Sequence, residues 1–225
     1  IFSYPILMYF INYDTSWNFT TYEYEGLWTV TGFIRNLFYN GFHPVIPWTA
    51  FMLIGLWFGK QDLNNTPFVK KTSWISLSIF IITHLVSYAS ISFLSEGNLE
   101  VTKELSQILG TSPMPPLPIY MVSGSSIALF IICSCILISK KFENSKLIKI
   151  LTSTGQLALT FYVAHVIIGM GVGEEITTTK LGMYSLNFSI IYGLIFSFLC
   201  ILFAVIWMHY KKSGPLEWIM RKLTN

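Results

Sequence analysis

Hydrophobic positions in this chain run together instead of alternating with polar ones. Charged residues are missing altogether from Ser73 to Leu94, from Leu105 to Ser139 and from Leu181 to Tyr210. About 20 apolar residues, rising 1.5 Å each, cross a hydrocarbon core of about 30 Å. The pattern therefore predicts five complete membrane-spanning helices: Pro44–Gly59, Trp74–Leu94, Pro118–Ile138, Thr154–Val172 and Leu186–Met208. A sixth, from Ile1 to about Ile11, opens with Ile in mid-run and has neither a charged leader nor a cleavage site. The expected fold class is all-α, a polytopic transmembrane helical bundle. Residues 1–225 are expected to form one transmembrane domain, the C-terminal part of a longer membrane protein.

The connections carry weaker signals. Residues 12–43 form the longest outer segment, and in its second half Leu27, Val30, Ile34, Leu37 and Phe38 recur at helical spacing. That predicts an amphipathic helix lying in the interface and stopped by Asn40-Gly41. Pro44 then keeps His43 out of helical geometry. The proline-rich stretch Gly110–Tyr120 cannot form a long helix and is expected to fold back against the mouth of the bundle.

Charge adds orientation. One set of connections holds Lys60, Lys70, Lys71, Lys140, Lys141, Lys146, Lys149, Lys211, Lys212, Arg221 and Lys222, while the opposite set holds only Arg35, Lys103 and Lys180. Basic residues mark the cytoplasmic side, which places the C-terminus inside. The net charge of +3 is thus a topology signal, and with the basic residues split among membrane-edge loops it excludes a nucleic-acid-binding stripe. Cys133, Cys135 and Cys200 all lie inside spans, without disulfide or zinc spacing, and are expected to be small core residues.

Polar side chains inside a span are costly, and so informative. In the second complete span Ser73, Ser76, Thr83, Ser87 and Ser90 share one face, with His84 beside it. Such hydroxyls pack helices closely and hydrogen-bond across them, or they line a polar cavity or substrate path. His165 lies about 16 Å into the fourth span, with Tyr162 and Phe161 one turn before it. It is either a buried, hydrogen-bonded histidine or a ligand-facing imidazole that moves a proton. His43 is an aromatic-belt residue beside Tyr39, Phe42 and Trp48, or a group facing the carboxylates Glu23, Glu25, Glu174 and Glu175, with Arg35 nearby. The run Val122-Ser123-Gly124-Ser125-Ser126 lacks the order of a nucleophile elbow, and His209 is a boundary residue. The candidate cavity-lining or proton-transferring residues are His165, His84, His43, Tyr162, Thr83 and Ser87. No catalytic residue and no metal site is assigned.

Four stretches, GFHPVIPWTAFMLIGLWFGK, TSPMPPLPIYMVSGSSIAL, GQLALTFYVAHVII and GPLEWIMRKLT, together resemble the C-terminal half of YeiB-like bacterial inner-membrane proteins, over about residues 27–225. Those proteins are similar in turn to the heparan-α-glucosaminide N-acetyltransferase group of transmembrane acyltransferases. The resemblance implies a larger bundle and transfer of an acyl group, from acyl-CoA on the cytoplasmic side to an acceptor reached from outside. That group's catalytic histidine lies in an outer loop of its N-terminal half, so no position here inherits it. The alternative is a transporter or permease for a small metabolite, for which an inverted repeat with interrupted helices would speak, and the sequence shows none. A non-catalytic membrane scaffold is a third reading. The expected partners are the lipid bilayer and the preceding helices of the same protein, with oligomerisation left open.

Overall fold

A computed structural model describes residues 1–19, 23–171 and 184–224. Among these the regular structure is helical except for one short antiparallel pair, β1 (Trp17–Asn18) with β2 (Glu23–Tyr24). Two compact units divide it, residues 1–138 and 139–225.

The first unit begins with α1 (Ser3–Phe10), the β-pair, and α2 (Val30–Arg35), which runs on as a π-helical turn, Asn36–Asn40. Thr29 caps α2 by accepting from the Gly32 amide at 3.1 Å, so the helix starts later than Leu27. It ends at Asn40, as the spacing predicts, but not by a left-handed glycine. Gly41 has φ −71°, and a Cβ there would lie 2.3 Å from the Asn36 carbonyl oxygen. Close approach of backbone, not positive φ, demands the glycine.

Next come α3 (Val45–Gly59), α4 (Thr66–Ser95), α5 (Leu99–Leu109) and α6 (Pro118–Lys141). Phe58, Val69 and Cys133, one from each of α3, α4 and α6, are buried together with Leu129 and Ile136 against them. Cys133 is thus the small core residue expected, whereas Cys135 is exposed. Opposite facing follows from two residues turning about 200° around a helix. Helix α5 is absent from the hydrophobic pattern because it is short and carries Glu100, Lys103 and Glu104. Its start is nonetheless signalled by Asn98, whose side chain accepts from the amides of Glu100 and Val101. The proline-rich stretch does fold inward: Pro116 and Leu117 are buried, Leu117 among Tyr4, Tyr13 and Tyr39.

The second unit holds α7 (Lys146–Gly155), α8 (Ala158–Ala164) with its π-helical continuation His165–Met170, α9 (Leu186–Tyr210) and α10 (Pro215–Thr224). Three helices, α4, α6 and α9, are long and apolar enough to cross a bilayer alone. The expected span Pro44–Gly59 is instead a bent pair, Val30–Asn40 with α3, at 43°. The expected span Thr154–Val172 is likewise α8 set at 63° to α7, and Val172 lies outside the described residues. Counting each pair once gives up to five crossings. Only 6% of the most apolar windows of α4 and α9 is buried within the chain, so lipid or further helices must cover them. The protein is an integral membrane protein of the all-α class.

Candidate functional site

The predicted hydroxyl face of α4 exists, but its members do different things. Ser73, Ser76 and Ser87 are buried. Ser87 donates to the Leu109 carbonyl at 2.6 Å and so latches the end of α5 onto α4. Thr83 donates to the Ile79 carbonyl of its own helix at 2.7 Å. His84 reaches across to α6, its Nε2 lying 3.0 Å from Ser123 Oγ, with the Phe80 ring 4.5 Å from its own. Next to Ser123, a Cβ on Gly124 would come 3.2 Å from the ring of Phe51 on α3. Ser125 and Ser126 turn back onto the carbonyls of Met121 and Val122, at 2.7 Å each. The Val122–Ser126 run is therefore the junction of α3, α4 and α6: small residues admit close approach and one serine bonds across.

His43 packs edge-on against Trp48, ring centroids 4.4 Å apart. Among the described residues no carboxylate partners it, and Glu174 and Glu175 lie outside them, as does Lys180.

His165 and Tyr162 come together on α8, rings 5.2 Å apart. His165 opens the π-helical turn, and the widened register there leaves backbone groups in need of partners. Tyr192 of α9 supplies one, donating to the Gly169 carbonyl at 2.7 Å. Beside it lies a groove of about 240 Å³ walled by Phe188, Tyr192 and Phe196, with His165 and Tyr184 contributing the polar tips. Among the described residues the Tyr184 hydroxyl is buried without a hydrogen-bond partner. An imidazole and a phenol on an apolar wall can orient a small polar group or pass it a proton.

What fixes α8 was not legible locally. Leu157, at its N-cap, has no side-chain cap, yet the exposed amides are not left bare. Glu217, from α10, accepts from the Thr160 amide at 3.0 Å and the Thr160 hydroxyl at 2.5 Å. The same hydroxyl accepts from the Leu216 amide at 3.2 Å, so each helix caps the start of the other. Burial pushes the Glu217 carboxyl up, but hydrogen bonds from Thr160, its own amide and the Leu159 amide outweigh this and hold it below its usual value. Gly214 is required, because a Cβ would fall 2.1 Å from Glu217 Oε2.

Residues 57–225 match the family described as protein of unknown function, DUF418, a group of membrane proteins that includes YeiB-like ones. The chain belongs to the DUF418 family. No curated protein and no solved structure matches it. The DUF418 match covers His84, His165, Tyr162 and the whole Gly214–Glu217 clamp, while His43, α1, the β-pair and α2 fall outside it.

Proposed function

We propose that this DUF418 protein transfers an acyl group within the membrane, from acyl-CoA met at the lysine-rich edge to an acceptor arriving from the opposite face. The observation that carries the reading is the second unit's arrangement. A helix clamped at one end to the basic C-terminal segment bears His165 five residues further on, about 7.5 Å along its axis, at a groove sized for a short acyl group. The acceptor's nucleophilic atom would bond to the acyl carbon as the thioester C–S bond breaks, and the acceptor's proton would end on the thiolate. His165 and Tyr184 fit the task of orienting the acceptor and relaying that proton. His84, tied to Ser123, serves the junction, and His43 the mouth. On this reading the lysine-rich edge and the C-terminus are cytoplasmic, the membrane is a bacterial inner membrane, and one domain is completed by preceding helices of the same protein.

One observation favours the transporter alternative: each unit contains a bent helix pair, and discontinuous helices commonly surround translocated substrates. Reconstituting the full-length protein in liposomes with labelled acyl-CoA separates the two. Acyl transfer predicts release of free CoA thiol with label on an acceptor. Uptake of a small metabolite without thiol release supports transport and overturns the enzyme reading.

A further inference from the structure

Past the end of α9 the chain makes a tight turn into α10, and the turn is built. The Trp207 indole donates to the Ser213 carbonyl at 3.0 Å, Gly214 has no room for a side chain, and Pro215 opens α10. Above the turn is a pocket of about 540 Å³ lined by Trp207, Lys211, Lys212, Pro215, Trp218 and Ile219. Its walls are two indoles and its charges two ammonium groups, which have no hydrogen-bond or ion-pair partner among the described residues. A third ammonium, Lys222, stands 5.2 Å from the Trp218 ring. The nearest carboxylate in sequence, Glu217, is turned away and spent on Thr160. Among the described residues positive charge thus collects with no acid to balance it, at the end of an apolar 25-residue helix where a membrane surface must lie.

We infer that this pocket binds the phosphate of an anionic amphiphile, with Lys211 and Lys212 on the phosphate and the apolar chain laid against Trp207 and Trp218. An acidic phospholipid of the bilayer and a long-chain acyl-CoA share that chemistry. The site stands independently of acyl transfer.

Native mass spectrometry of the full-length protein in detergent tests it, with phosphatidylglycerol, phosphatidylcholine and palmitoyl-CoA titrated separately. At about 1 kcal/mol per basic residue, a factor of about five each, K211Q/K212Q is expected to weaken anionic binding about 25-fold. The same charge change in the first unit, K70Q/K71Q, is expected to leave it unaltered. Phosphatidylglycerol bound in preference to the other two identifies a lipid site, and palmitoyl-CoA in preference identifies a donor site. Equal retention of phosphatidylcholine, or equal losses in the two double variants, overturns the inference. Unchanged thermal unfolding of K211Q/K212Q excludes misfolding as the cause.

Discussion

Two polar knots hold this protein where apolar packing cannot, and they differ in kind. In the first unit the knot is Asn40, fully buried. Its amide nitrogen donates to the carbonyls of Tyr13, at 2.7 Å, and Thr15, at 3.0 Å. Its side-chain oxygen accepts from the Tyr24 hydroxyl at 2.8 Å, and its carbonyl from the Trp17 indole. Tyr39 reaches the Ile11 carbonyl and Tyr4 the Tyr39 carbonyl. Apart from Arg35, which bonds the Asn12 carbonyl, the groups are neutral. Burial, and then the neighbouring Asp14, push the Tyr13 phenol up to about 12, so it stays neutral too. In the second unit the knot is one carboxylate, Glu217, shared between two helix starts. Lipid is as apolar as a leucine side chain, so fixing a loop or a bend at the membrane edge falls to hydrogen bonds. A neutral knot gives a cap indifferent to acid, whereas a carboxylate gives a clamp that acid releases.

The largest effect is expected at Asn40. Asn40→Ala removes the partner of the buried Tyr13 carbonyl, of the part-buried Thr15 carbonyl and of the Tyr24 hydroxyl, and should cost about 3 kcal/mol. Thermal unfolding of the full-length protein in detergent measures it, and the loss should be the same from about pH 7 down to about pH 3. Glu217→Ala should cost about 2 kcal/mol by removing charge-assisted caps from α8. This loss should depend on pH. Because the folded Glu217 carboxyl titrates below its usual value, its stabilisation is complete above the unfolded value, about 4.3, and disappears as pH falls through the lower folded value. Unfolding curves of Glu217→Gln from about pH 7 to about pH 3 should therefore lack the acid decline that this carboxylate is expected to give the natural chain. If both chains decline alike, the contrast between the knots fails. Ser123→Ala, at the α3–α4–α6 junction, should have the smallest effect, about 0.6 kcal/mol for one interhelical bond.

The same contrast separates what the sequence made legible from what it did not. The apolar runs are legible because a bilayer demands length, and they located α4, α6 and α9. The hydroxyl spacing on α4 found Ser73, Ser76 and Ser87, since a helix buries one face at that period. The bend before α8 escaped notice because its cause is 57 residues away, in Glu217, and no proline marks it. Asn40 reads locally as a helix stop, and its role depends on carbonyls more than 20 residues upstream. For His165 and Tyr162 the i, i+3 spacing foretold their contact, but the groove depends on Tyr184, Phe188 and Tyr192 of another segment.

The central claim is that the clamped helix α8 presents His165 to the transferring group, and the most direct measurement is CoA release from acyl-CoA by reconstituted full-length His165→Ala. An orienting, proton-relaying imidazole predicts a fall of about 10- to 100-fold, with unfolding temperature unchanged and the Ser123→Ala rate near that of the natural chain. CoA release by His165→Ala within twofold of the natural chain would contradict the claim.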